Sequence, residues 1–248
     1  MSSAPQILPT QIPEGTSDGI RYRLEGELVP VLHMALDGSM PVYFEHHVLL
    51  WKYPNLQIGL HPLRKGLVRR AVAGMPLLLL QVESGGEVAF SRDAPGHVVA
   101  LHLPAGQGLQ VREHQFLAAT QNIEYDYSRM KGFANMVFGG GFFIDQFMCT
   151  GGEGVVWVHG YGNVFEKTLE PGGWLYYEHS VSMSQEIYGF KAGFLSGAGN
   201  LVFNRFTGPG RIGLQSAYFH PPGAEVGAGG GQGQQGGVGG LLGGLLNN

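Results

Sequence analysis

The chain has 248 residues, a formal charge of −4 and only 14% charged residues; typical domains carry about 25%. Nothing global draws such a chain to DNA or to an anionic lipid surface, and the acidic balance argues against RNA. A single cysteine, Cys149, excludes an intrachain disulfide and a Cys-based zinc site, and no apolar run reaches the ~18 residues of a membrane-crossing helix.

Glycine accounts for 42 residues and hydrophobic types for 44%. That combination predicts many short strands joined by tight turns, because glycine supplies positive φ at low steric cost. The expected fold is all-β: three related antiparallel units packed as one compact, sandwich- or prism-like domain with little helix.

Residues 1–21 hold Pro, Ser, Thr and Gly without periodicity and read as a flexible lead-in. They lack the basic and apolar blocks of a secretory signal and the Arg-rich character of a transit peptide, so the cytoplasm is the expected compartment. Residues 22–222 read as the β domain, with internal repeats at about 22–96, 97–160 and 161–219.

The first unit runs through an apolar segment ending at Leu36, a turn at Gly38, then "PVYFEHHVLLW". The second runs "HVVALHLPAG" to Gly106, then "QGLQVREHQFLAA". The third runs "VFEKTLEPG" to Gly172, then "GWLYYEHSVSMS". A Glu-His pair follows the turn glycine by seven, seven and six residues, and the pairs stand 68 and 65 residues apart. Strand, glycine turn, strand predicts a β-hairpin in each copy. A second strand–turn–strand closes each unit: "LLLLQVESGGEVAF", "FFIDQFMCTGGEGVVWV" and "LVFNRFTGPGRIGLQ". Residues 223–248 form a Gly-rich tail without charge beyond Glu225, ending "GGLLGGLLNN"; this low-complexity stretch cannot offset the entropy of folding by itself. Its Leu pairs could dock on a protein partner or a membrane surface.

Several of these motifs carry a family resemblance. "GGGFFIDQFMCTGGEGVVWVHGYG", "LEPGGWLYYEHSVSM", "GFKAGFLSGAGNLVFNRFTGPGRIGLQS" and "DAPGHVVALHL" together resemble the altered inheritance of mitochondria protein 24 family. The likeness covers about residues 22–219 and is strongest from Gly139 to Ser216. It implies an all-β domain similar to the tryptophan-attenuation RNA-binding protein, with no established catalytic residues and no cofactor. Its eukaryotic members are linked to mitochondrial inner-membrane organisation. Family members commonly carry Gly at the second position of the Glu-His pair; here His46, His114 and His179 stand there. If that position needs positive φ, each His must tolerate it or the turn must differ.

Adjacent strand residues point to opposite faces, so the three Glu and the three His form separate sets. Converging about a pseudo-threefold axis, His46, His114 and His179 could hold a ligand or a metal, since three imidazoles suit a zinc with one open position. The alternatives are a subunit contact, or histidines bonded to nearby carbonyls with each Glu facing water. Arg64, Lys65, Arg69 and Arg70 in "LRKGLVRR" could contact an anion, although the stretch lacks the aromatics that RNA readers interleave. Asp93 and His97 flank a Pro-Gly turn. No nucleophile, phosphate-loop or metalloprotease motif is present. The expectation is a non-enzymatic scaffold or binding protein that forms a homo-oligomer, with a trimer the first candidate. A small-ligand or metal-binding protein is the alternative.

Overall fold

The computed structural model describes residues 6–7, 14–62, 79–112, 114–129, 143–172, 174–178, 182–186, 191–196 and 202–217. Its strands are β1 (Gln6–Ile7), β2 (Glu14–Ser17), β3 (Ile20–Glu25), β4 (Val31–Leu36), β5 (Val42–Glu45), β6 (Leu49–Lys52) and β7 (Ile58–Leu60). They continue as β8 (Leu79–Val82), β9 (Gly86–Ser91), β10 (Gly96–Pro104), β11 (Gly108–Arg112), β12 (Phe116–Thr120), β13 (Ile123–Arg129) and β14 (Phe143–Cys149). The last are β15 (Glu153–Tyr161), β16 (Val164–Leu169), β17 (Trp174–Glu178), β18 (Ser182–Glu186), β19 (Lys191–Ser196), β20 (Val202–Thr207) and β21 (Gly210–Gln215). Among the described residues the one helical element is a 3₁₀ turn at His46–Val48. The fold is all-β, as the composition predicts.

Four antiparallel sheets result. Sheet I has the order β2-β3-β4-β9-β6, sheet II β10-β15-β12-β5-β8-β7, sheet III β1-β16-β21-β18-β11-β14-β13, and sheet IV β17-β20-β19. Sheet I shows the half-buried alternation of a one-sided sheet: Leu32, Met34 and Leu36 of β4 are buried while the intervening residues are not. Sheet II differs because it lies between sheets I and III. Its strand β15 reads Val-Val-Trp-Val and is buried on both faces. Trp157 joins the core of sheets I and II with Leu32, Phe44 and Phe90. Val156 and Val158 face the other way, into a core with Tyr43, Phe116 and Phe147. Trp157 is fully buried and meets Tyr22 edge to face at 5.4 Å; truncating such an indole costs about 3–5 kcal/mol. Cys149 packs in the second core as a small apolar residue.

The hairpins expected at the glycine turns do not form. β4 pairs with β3 and β9, whereas β5 pairs with β12 and β8. The turn at Gly38 therefore carries the chain from sheet I into sheet II. The turn at Gly106 leads from β10 in sheet II to β11 in sheet III, and that at Gly172 from β16 in sheet III to β17 in sheet IV. The closing turns return the chain: β8 to β9, β14 to β15, β20 to β21. Each outer pair, β4–β9, β10–β15 and β16–β21, thus encloses an inner pair, β5–β8, β11–β14 and β17–β20. The outgoing and returning turns lie against each other. A Cβ on Gly38, whose φ is 91°, would stand 3.1 Å from the Gly85 amide nitrogen. Glycine is needed there for close backbone approach as much as for φ.

The stretch read as a flexible lead-in also carries structure. Glu14–Ser17 pairs with β3 through a two-residue turn at Asp18 and Gly19, both at positive φ (40° and 78°), and Gln6–Ile7 pairs with β16. Asp-Gly at a two-residue loop is the signature of a tight hairpin.

Candidate functional site

Glu45 ends β5, and the 3₁₀ turn behind it swings the chain from sheet II to β6 in sheet I. Arg92 follows β9 at the same end of sheet I. Its Nη2 donates to Glu45 Oε2 at 3.1 Å and to the Phe116 carbonyl at 2.8 Å. Both side chains are buried, 7% and 8% exposed, so the pair sits where unpaired charge is costly. Arg92 thereby ties the first Glu-His segment to the residue that opens β12, just beyond the second.

His47 stands 3.1 Å from Arg92 Nη1 and 3.2 Å from Glu45 Oε2 through its Nε2. Burial, then the charge of Arg92, lowers its pKa to about 4. The neutral ring accepts a hydrogen bond from Arg92 at Nε2, and only a protonated ring could donate from that nitrogen to Glu45. His114 lies in the field of the same groups. Burial and Arg92 lower its pKa, while Glu45 works the other way. Its carbonyl accepts from the Tyr161 hydroxyl at 3.2 Å. His159, buried in β15, donates from Nε2 to the Ala94 carbonyl at 3.1 Å, which leaves Nδ1 without a partner among the described residues. Burial and Arg92 lower its pKa to about 4. The third unit reaches the junction through Gln215, whose Oε1 accepts from Gln115 Nε2 at 2.6 Å and from the Tyr161 backbone amide at 3.1 Å.

The sequence-derived candidates therefore divide. His114 belongs to this junction and sits at φ 65°, the conformation that favours glycine. His46 opens the 3₁₀ turn instead; it is exposed, its ring edge-on to His47 at 5.5 Å. His179, Arg64, Lys65, Arg69 and Arg70 lie outside the described residues, as does Glu113. Glu45 does not face water, because Arg92 draws it inward. Among the described residues no group of three or more His, Cys, Asp or Glu side chains stands close enough to hold a metal. Sequence reasoning missed Arg92, His159, Gln115 and Gln215. The doubled histidine in "EHH" was the one local signal for His47.

A second feature is the open side of sheet I. The cross-strand row Arg23, His33, Ala89, Trp51 crosses its outer face, and the His33 and Trp51 rings approach at 5.7 Å over the small Ala89. Beside them a recess of about 690 Å³ is lined by Arg21, Arg23, Tyr22, Trp51, Glu14 and Glu87 among others. At the sheet edge Leu50 is 55% exposed, Trp51 38% and Tyr53 50%.

No match was found among curated proteins. A crystal structure of a Streptococcus pyogenes protein matches with a TM-score of 0.63 at 20% identity, covering 80% of this chain and 94% of that one; at that identity the likeness is one of fold. No helix among the described residues is long and apolar enough to cross a membrane. The family described as mitochondrial biogenesis AIM24 matches residues 22–217, nearly the whole β domain, and the chain belongs to that family.

Proposed function

We propose that this protein is a non-enzymatic scaffold that assembles through its β domain and presents that domain to a protein partner. The observation that carries the reading is the exposed strip Leu50, Trp51 and Tyr53, on and just beyond the strand that ends sheet I among the described residues, since an apolar strand edge invites association. The Glu45–Arg92–His47 cluster supports it from the other side. Its charged and hydrogen-bonding groups serve one another and the backbone, which is how a structural clamp uses them. Affinity purification from the native host, with mass spectrometry of proteins and small molecules, tests the reading. A stoichiometric protein partner and a multi-chain mass by light scattering are expected. A monomer that carries a small-molecule ligand and no protein would overturn it.

A ligand or metal site at the repeated histidines is the second reading. The electrostatic influence of Glu45 and His47 on His114 favours it. Elemental analysis of protein grown without added metal decides the metal form of this reading: a transition metal near one equivalent supports it, and a trace amount removes it.

A further inference from the structure

Strand β6 has two counterparts. β6, β12 and β18 each follow a Glu-His segment, and each pairs with the closing strand of its own outer pair: β9, β15 and β21. Each pairing carries one register shift, between Leu49 and Trp51, Phe116 and Ala118, Ser182 and Ser184. The far sides differ. β12 pairs onward with β5, and β18 with β11. In both cases the far partner opens the inner pair of the preceding unit. For β6 no strand takes that place among the described residues, where it ends sheet I. The mirror-image vacancy lies at the other end. β17 opens the last inner pair and matches β5 and β11, yet among the described residues it pairs only with β20.

The two open edges fit each other. In the internal seams the first residue past the register shift, Ala118 or Ser184, stands opposite the penultimate residue of the partner strand, Phe44 or Val111. The same rule places Trp51 opposite Tyr177, Lys52 opposite Tyr176 and Tyr53 opposite Leu175. The resulting order, β4-β9-β6-β17-β20-β19, repeats β10-β15-β12-β5-β8-β7 of sheet II strand for strand. Among the described residues of one copy both edges are open, so every other copy offers the complement that each needs. The exposure of Leu50 and Trp51 is the apolar surface such a seam would cover.

We infer that β17 of a second copy pairs antiparallel with β6, in the register Trp51 opposite Tyr177, and joins sheet I of one chain to sheet IV of the other as one continuous sheet. The contact is heterologous: one edge of each copy meets the other edge of its neighbour. It closes as a dimer with two seams or as a small ring. This inference rests on the assembly reading and assigns its interface.

Directly opposed residues in antiparallel strands bring Cα atoms to ~4.5–5.5 Å, within the range a disulfide spans. Trp51→Cys and Tyr177→Cys are made as separate proteins, mixed after mild unfolding and refolding, and oxidised. A disulfide-linked dimer containing one chain of each kind is expected from the mixture and from neither variant alone; the wild-type chain, whose Cys149 is buried, is the control. A double variant that links only within one chain, with no link in the mixture, would overturn the inference: the seam would then be internal. Absence of any link in both preparations overturns it as well. Light scattering of the unmodified chain separates the two levels. A multi-chain mass without the Trp51–Tyr177 link leaves the scaffold reading standing and this interface wrong, whereas a monomer removes both. Trp51→Lys, at a position already open to water, is expected to reduce the mass to one chain while leaving the thermal melt of the fold in place; an unchanged multi-chain mass would count against the seam.

Discussion

Arg92 Nη2 lies 3.1 Å from Glu45 Oε2 in a place where both side chains are nearly closed to water. The same nitrogen reaches the Phe116 carbonyl, so one guanidinium joins two segments of the chain that local sequence keeps apart. Removing either member strands the other. Arg92→Ala and Glu45→Ala are each expected to lower unfolding free energy by about 3–5 kcal/mol in denaturant titrations. In the double variant the loss should fall short of the sum by about 1 kcal/mol or more. Strict additivity would mean that the pair is not coupled.

Acid should weaken the fold well before the carboxylates titrate. His159 is fully buried and its pKa falls from 6.5 to about 4 in the folded state. Between those values the unfolded chain binds more protons than the folded one, so stability is complete above pH 6.5 and declines as the pH drops toward 4. The charge of Arg92 adds to the effect of burial, and the bond to the Ala94 carbonyl opposes it. The contribution of His159 amounts to about 3 kcal/mol at the acid end. His47 shifts in the same direction, with a smaller contribution because its ring is partly exposed. Melting temperatures from pH 7.5 to 4 should trace this decline, and His159→Gln should flatten it.

Two histidines that look equivalent in sequence should respond oppositely to the same replacement. His114 sits at φ 65°, where a side chain costs about 1–2 kcal/mol. His114→Gly is expected to raise stability by up to about 1 kcal/mol, and His114→Val to lower it. His46 occupies a 3₁₀ turn, so His46→Gly should lose about 0.5–1 kcal/mol through added freedom of the unfolded chain. Equal effects at the two sites would contradict this account.

Gln215 accepts two hydrogen bonds at once, from Gln115 and from the Tyr161 amide. Gln215→Leu preserves bulk and orphans both donors in a buried place, a loss of about 3 kcal/mol. Gln215→Glu keeps the acceptor and should retain more of the stability, read from the denaturant midpoint at neutral pH.

The strands themselves were legible. Alternation in "VLHMAL" and the unbroken apolar run in "VVWV" report one-sided and two-sided burial by the pleat alone. Partner choice was not. A strand, a glycine turn and a second strand read the same whether the second strand folds back on the first or departs into another sheet. What decides is the distant strand that fills the neighbouring slot, as β9 does for β4. The junction was hidden for a like reason. "SRDAPGHV" reads locally as a turn, and nothing in it says that Arg92 will meet a carboxylate 47 residues earlier. The Asp18-Gly19 turn, by contrast, is a hairpin signal in the sequence, obscured because the residues around it lack periodicity.

The nesting of each inner strand pair within an outer one also sets a tempo. Val31 finds Ser91, and Val164 finds Gln215, only after the four intervening strands have been made, three of them in a different sheet. Such distant pairings pay loop-closure entropy before contacts reward it, which places the domain among slow, millisecond-to-second folders. During synthesis β16 must wait, its edge open, until the chain has been made through β21. The last strand of the domain is therefore the one that lets the third unit close.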